Sequence, residues 1–384
     1  MKSDRVLSKD KVFKILEIEG SLTQADIARK TGLAPATVNY TVNALKNEGL
    51  AESEWINGRQ ALVSLVTNKG CILSLSISSK VIEGILFHFG EKKKYDFKIQ
   101  NLGQAEEEVV EELVLWLKNC QLSETDSSLL GVSLSIRAPF NIIKNDIAPW
   151  AKGLLLNLDL EEFKAQIKER LNSVVIIEND GNLGALSEWM WGEYSESRVS
   201  NFVYLTCADH VGGGIVINGQ LYRGVDGMAG ELGHIFAAPN GRICICGGRG
   251  CLSSFASEKA LIDRVSHLCV NVRSSEDVIA LAKDGNFLCR SALHDTGYAI
   301  GLVIANIYRM ISPQVVCLGG YLVSGQEFIL PGIKSAFEER GMPSSYDDVD
   351  IKFSQFGQDA AILGGIAQVL SSRDQSLTKL HSWM

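Results

Sequence analysis

The side chains with the clearest chemical content lie in one short stretch. Gly230-Glu231-Leu232-Gly233-His234 is followed by Cys244-Ile245-Cys246 and then by Cys251. One imidazole and three thiolates form a set that suits tetrahedral zinc. The Cys244–Cys246 spacing is tighter than usual, and Gly247, Gly248 and Gly250 let the chain fold back between the thiols. A zinc ion held by four protein ligands has no open position, so this site reads as structural and not catalytic. Three reduced cysteines on a glycine-rich loop, or a redox pair, share the same spacing. The other six cysteines are scattered and read as buried thiols.

A second group, Glu178-Asn179-Asp180, follows the β-branched run Val174–Ile177. Strand ends at a cleft collect polar ligand-binding groups. An Asn-Asp pair there bonds sugar hydroxyls or supplies a general base. The same pair is also an ordinary turn and helix cap, with Asn182 completing the turn.

The third group is at the front of the chain. Apolar residues Val12, Phe13, Leu16 and Ile18 predict a helix over Lys9–Glu19, ended by Gly20. Leu22-Thr23 opens a second helix carrying Ala25, Ile27 and Ala28. Thr31-Gly32-Leu33 is a turn, and a third helix starts near Ala34-Pro35 and runs to Gly49. This is the order of a helix-turn-helix. Val38, Val42 and Leu45 point inward, leaving Thr37, Asn39, Tyr40, Thr41 and Asn43 outward or flanking for bases and phosphates, with Lys46 suited to phosphate. Runs Leu50–Ile56 and Gln60–Val66 flank Asn57-Gly58, a strong hairpin signal, with Arg59 at the tip of a wing. Double-stranded DNA is the expected partner; a three-helix protein-interaction module would share the helices.

Behind these groups stands a long α/β segment. Cys71–Ile77, Val81–Phe89, Leu130–Ile136, Val174–Ile177, Asn201–Leu205, Gly214–Ile217 and Gln314–Leu318 read as strands. Ala105–Lys118, Leu160–Leu171, Ser291–Ile311 and Ala360–Leu370 read as helices. Strands followed by helices, twice over, predict two lobes with a cleft between them.

Composition agrees. The chain has 384 residues, 46% of them apolar, enough for several cores. Residues 1–67 hold nine Lys/Arg against eight Asp/Glu, whereas the whole chain carries a net charge of −8. A near-neutral head on an acidic body excludes nonspecific nucleic-acid coating by the whole protein. Met1 to Asp10 is polar and lacks the apolar core of a secretion signal, and no run reaches the roughly 18–20 apolar residues of a membrane span. A cytoplasmic protein with no membrane partner and reduced cysteines is expected.

The motifs Glu231-Leu-Gly-His234, Cys244-Ile-Cys246-Gly-Gly-Arg-Gly-Cys251-Leu252, Ile177-Glu-Asn179-Asp180 and Gly319-Gly320 together resemble those of the ROK family of bacterial sugar repressors and sugar kinases. The front module with Asn57-Gly58-Arg59 places the resemblance in the repressor branch. The resemblance covers essentially the whole chain. It implies an α/β fold: an N-terminal winged helix-turn-helix over 1–67 and a two-lobed, actin-like (ribonuclease H-like) sensor over 68–384. A hinge is expected near 180–200, with the C-terminal helix returning to the first lobe. The resemblance also implies structural zinc on His234, Cys244, Cys246 and Cys251, and sugar contacts from Asn179, Asp180, Glu231 and His234. In kinase members the aspartate matching Asp180 is the catalytic base.

Three departures bear on activity. The kinase phosphate motif Asp-x-Gly-x-Thr is replaced by Leu75-Ser-Ile-Ser-Ser-Lys80. Its second loop, Gly-Thr-Gly, is replaced by Ala208-Asp209-His210, where an aspartate repels phosphate. Phosphoryl transfer is therefore expected to be lost, leaving a sugar-relieved repressor that is not an enzyme and acts as a homodimer or tetramer. The third departure lies in the ligand pocket: Ser253 stands where the pattern has a sugar-contacting glutamate, and Arg137-Ala138-Pro139-Phe140 replaces a Pro-Gly loop. Either the effector is phosphorylated or acidic and met by Arg137, or sugar sensing is weak.

Overall fold

The computed structural model describes residues 2–47, 50–56, 60–65, 70–89, 93–100, 105–120, 128–155, 158–194, 199–238, 241–269, 271–340 and 349–373. The front module holds helices α1 (Lys2–Glu19), α2 (Gln24–Thr31) and α3 (Pro35–Asn47), and strands β1 (Leu22–Thr23), β2 (Ala51–Trp55) and β3 (Ala61–Leu65), paired in the order β1-β3-β2. Two boundaries depart from the sequence pattern. Helix α1 begins at Lys2, seven residues before the expected start at Lys9. Leu22 and Thr23 do not open α2; they pair with Val63 and Leu62 of the wing. Thr23 then caps the helix, its Oγ1 accepting from the Asp26 N–H at 3.2 Å. Gly32, at φ +68°, ends α2 in the left-handed conformation that allows the tight turn into α3. The turn with Asn57, Gly58 and Arg59 lies outside the described residues.

The first lobe of the larger segment contains β4 (Gly70–Ile77), β5 (Val81–His88), β6 (Lys93–Gln100), α4 (Glu106–Asn119), β7 (Ser128–Ile136), a small hairpin β8 (Phe140–Asn141) and β9 (Asp146–Ile147), α5 (Leu160–Leu171) and β10 (Val175–Asn179). Its sheet runs β10-β7-β4-β5-β6. Helix α6 (Asp180–Trp191) follows. The second lobe contains β11 (Phe202–Cys207), β12 (Val211–Ile217), β13 (Gln220–Leu221), α7 (Ser253–Ala256), α8 (Glu258–Val265), α9 (Ser275–Lys283), α10 (Phe287–Ile311), β14 (Val315–Gly320), α11 (Gln326–Glu339) and β15 (Asp350–Phe353), with the sheet order β13-β12-β11-β14-β15. The chain ends with α12 (Ala360–Arg373). In each lobe three strands are parallel and the rest continue as an antiparallel meander. The two sheets therefore repeat one plan. Strand β6 was not among the expected elements, although Tyr95, Phe97 and Ile99 alternate inward at the period of a strand.

Helix α6 lies between the lobes and is buried on nearly every side. It packs on β11 and β12 and on α12, and α12 in turn lies on β4 and β7. The approach to β12 requires glycine on both partners: a Cβ on Gly181 would collide with the Gly213 carbonyl, and one on Gly214 would sit 2.6 Å from the Ala185 Cβ. The other end of α6 enters a different core. Leu186, Met190 and Trp191 belong to one contiguous apolar cluster with Ile366 and Leu370 of α12, Phe87 and Phe89, and the winged-helix core of Leu16, Ile27, Val38 and Leu45. No helix among the described residues is long and apolar enough to cross a membrane.

Gly364 on α12 faces the backbone of α6, where a Cβ would collide with the Leu183 carbonyl. Gly364→Ala is expected to destabilise the protein by about 1–3 kcal/mol through overpacking. A lower denaturant midpoint checks this; an unchanged midpoint contradicts the seating of α12 on α6.

Candidate functional site

Helix α3 presents Asn39, Tyr40, Asn43 and Lys46 to solvent, with Thr37 half-buried beside them. Thr41 does not face outward as its type suggested. It is 5% exposed, because positions 38, 41, 42 and 45 share the inner face of a helix. On the outer face, the Asn43 Nδ2 donates to the Asn39 Oδ1 at 3.1 Å.

The cleft between the lobes holds a cavity of about 340 Å³. Asn179, Asp180, Glu231 and His234 all line it, joined by Ser253 and Arg137. Asn179 is the N-cap of α6: its Oδ1 accepts from the Gly181 and Asn182 N–H groups at 2.9 and 3.3 Å, while its Nδ2 donates to the Ala138 carbonyl at 3.1 Å. Much of its capacity is thus used in positioning Asp180. Burial lifts the Asp180 carboxyl above the ordinary carboxylate range, and Arg137 opposes that rise. Burial, followed by the neighbouring Asp180, pushes Glu231 up to about 8. A protonated Glu231 next to Asp180 offers a donor beside an acceptor, which suits a vicinal pair of hydroxyls.

The replaced loops face each other across this cleft. Ser78, Ser79 and Lys80 form the β4–β5 turn, and Ala208, Asp209 and His210 form the β11–β12 turn. Lys80 Nζ lies 4.0 Å from Asp209 Oδ2. The Arg137 guanidinium bonds Glu83 at 3.2 Å, and Glu83 also takes Lys98 at 3.1 Å, so two cations share this one carboxylate.

The second constellation borders the same cavity. His234, Cys244, Cys246 and Cys251 each bring a ligand atom within 4.8 Å of the others. The Cys246 and Cys251 sulfurs are 3.7 Å apart, and the Cys244 sulfur lies 3.5 Å from His234 Nδ1. A tetrahedron with Zn–S bonds of roughly 2.3 Å has sulfur corners about 3.8 Å apart, so the donor set fits zinc in both chemistry and spacing. The Ile243–Arg249 and Phe236–Cys251 bridges close the loop around it. The ring of His234 meets Trp150 edge-to-face, with centroids 4.8 Å apart.

Trp150, Glu83, Arg223 and Gln368 were not singled out in the sequence. An aromatic next to Pro149 in a loop was the available sign for Trp150; the other three carried none. Arg223 and Gln368 converge on Glu178. That buried carboxylate accepts from Arg223 Nε at 2.6 Å, Asn182 Nδ2 at 3.0 Å, Gln368 Nε2 at 3.3 Å and the Asn179 N–H at 3.1 Å. It ties the end of β10 to the second lobe, to α6 and to α12. Asn182 completes the turn through its N–H, which bonds Asn179 Oδ1, and its side chain also anchors α6 to this carboxylate.

Comparison with known proteins agrees with this geometry. Residues 73–372 match the ROK family, and residues 11–52 match a winged helix-turn-helix DNA-binding family. The chain is 30% identical over 351 residues to a xylose repressor of Bacillus spizizenii, covering 89% of each protein. It is 30% identical over 241 residues to a glucokinase of Halalkalibacterium halodurans, covering 58% of this chain and 72% of the kinase. In structure it matches a ROK family transcriptional regulator, a homologue of the E. coli Mlc protein, with a TM-score of 0.74 at 22% identity over 98% of this chain and 97% of that one. At that identity the structural likeness speaks for the fold.

Removing the shared acceptor at the lobe junction should be costly. Glu178→Gln is expected to destabilise the protein by about 2–4 kcal/mol, since an amide placed among these donors leaves buried groups unpaired. Arg170→Ala, which removes only surface pairs with Glu107 and Glu111, is expected to change stability by less than about 1 kcal/mol. Equal denaturation midpoints for the two variants would contradict the assignment.

Proposed function

This chain belongs to the ROK family, and we propose that it is a transcriptional regulator that grips operator DNA with its front module, represses carbohydrate-utilisation genes, and releases the operator when a sugar fills the cleft. The observation that carries the reading is the pairing, in one chain, of an outward polar α3 with a cleft whose turns lack the Asp-x-Gly-x-Thr and Gly-Thr-Gly phosphate motifs and carry Asp209. The full-length likeness to a xylose repressor points the same way. An aspartate at the tip of β11–β12 opposes a nucleotide phosphate, so Asp180 and Glu231 act as sugar ligands and not as catalysts.

The effector is a neutral monosaccharide, with D-xylose the first candidate. The cavity is lined by five acidic side chains, Glu83, Asp180, Asp209, Glu258 and the protonated Glu231, against the cationic Lys80 and Arg137. Arg137 shares Glu83 with Lys98, and it is the excess of acidic side chains that weighs against a phosphorylated or acidic ligand. The zinc reading rests on the spacing of the Cys₃His set. The ion would brace the loop that carries Glu231 and His234, and its chemistry would be structural.

Sugar binding would draw the lobes together around α6. The far end of α6 shares a core with the winged helix, so its displacement re-aims the reading heads of a cytoplasmic homodimer on successive major grooves.

Fluorescence anisotropy with promoter fragments tests this reading. A neutral sugar is expected to weaken operator binding at least tenfold, whereas its phosphate ester has no effect. Asp180→Asn should abolish the response while leaving sugar-free operator affinity unchanged. No response to any sugar would remove the effector from the proposal, and rapid ADP release with a hexose would restore the kinase reading. For the metal, elemental analysis should find about one zinc per chain, lost in Cys246→Ser together with a drop in thermal midpoint. A zinc-free wild-type protein of the same stability would disprove the site.

A further inference from the structure

We propose that Asn39 reads one adenine in the major groove of each operator half-site, and that Asn43 holds the Asn39 carboxamide in its reading orientation. The inference rests on the DNA-binding reading above and assigns that surface a base preference. Helix α3 buries Val38, Thr41, Val42 and Leu45, which leaves Asn39, Tyr40, Asn43 and Lys46 on the face turned to solvent. The early part of a recognition helix meets base edges. Asn39 lies in the second turn of α3, whereas Lys46 lies at its far end, where it suits phosphate.

The chemistry of this face is uneven. Helix α3 contains no arginine, the usual reader of guanine through its O6 and N7. Arg29 sits on α2, bonded at 2.5 Å to Asp26. What α3 does offer is three carboxamides, Asn39, Asn43 and Asn47, each one turn from the next, and the first two are bonded to each other. Asn43 Nδ2 donates to Asn39 Oδ1 at 3.1 Å. That bond uses one lone pair of the Asn39 oxygen. The other lone pair and both N–H donors of Asn39 stay available.

A carboxamide presenting donor and acceptor side by side matches adenine, whose major-groove edge offers N7 as acceptor and the N6 amino group as donor. Guanine presents two acceptors, so its O6 would oppose the Asn39 oxygen. Cytosine offers a donor alone, and thymine an acceptor beside a methyl group. The Asn43 bond adds polarity. A free carboxamide can turn over and exchange its oxygen and nitrogen. Held by Asn43, Asn39 keeps its oxygen toward the C-terminal half of α3, and so distinguishes A·T from T·A at that step. Asn39 is thus a base-contacting residue and Asn43 a positioning residue.

The test uses the full-length protein and a library of random-sequence duplexes, from which bound duplexes are selected and sequenced. One half-site position should be adenine in nearly all of them. Replacing that adenine with 7-deazaadenine, which lacks the N7 acceptor, should weaken wild-type binding about tenfold and leave Asn39→Ala unaffected. Asn43→Ala should lower the adenine preference at the same base pair and at no other. The double variant should bind no more weakly than Asn39→Ala alone, because both side chains serve one contact. Both residues are exposed, and unchanged circular dichroism confirms that the variants fold. Adenine dependence that survives in Asn39→Ala overturns the proposal, as do additive effects of the two substitutions at different base pairs. Selection of duplexes with no preferred base would overturn it while leaving DNA binding intact. Selection of no duplex at all would overturn DNA binding itself, and this inference with it.

Discussion

Helix α6 can lie between the two sheets only because glycine meets glycine where it crosses β12. Gly181 comes down on Gly213, and Gly214 accommodates Ala185, at distances no larger side chain permits. That close approach places the N-terminus of α6, with Asn179 capping and Asp180 beside it, against the turn that carries Glu231 and His234. It also sets the distance between the lobes, and therefore the width of the cleft. A helix kept further out would leave Asp180 and Glu231 apart, and the rise in the Glu231 pKa from its neighbour would disappear.

Many of the polar groups at this junction are organised around one buried acceptor. Glu178 gathers donors from the second lobe, α6 and α12, so both lobes and the helices between them share one carboxylate. Such a network is costly to break and cheap to keep, because the charge cannot be left unpaired in the interior. It carries no ligand. Its effect is to give the cleft a defined geometry.

The same helix spans two cores. Its first turn borders the ligand cavity, and its last turn enters the apolar cluster shared with the winged helix. Twelve residues of α-helix extend about 18 Å, so one rod connects the cavity in the cleft to the core that holds the winged helix. Here Lys80 and Asp209 lie 4.0 Å apart across the cleft, at the two turns that replace the phosphate motifs.

Much of the site was legible in the sequence, since its information is local. A histidine and three cysteines at short spacing, a Gly-Glu-Leu-Gly-His turn and an Asn-Asp pair after a strand keep their meaning wherever the chain goes. The helices of the reading head were legible for the same reason, through their apolar period and their glycine turn. Tertiary structure decided the rest. Whether Thr41 faced in or out depended on the full inner face of α3. The partner of Arg137 came from a different strand, and that changed the charge the ligand meets. Arg223 and Gln368 acquired their role only by meeting Glu178, 45 and 190 positions away along the chain. Periodicity and motif spacing record what a residue's near neighbours require; long-range packing determines which distant side chain completes a buried polar group, and no local pattern encodes that.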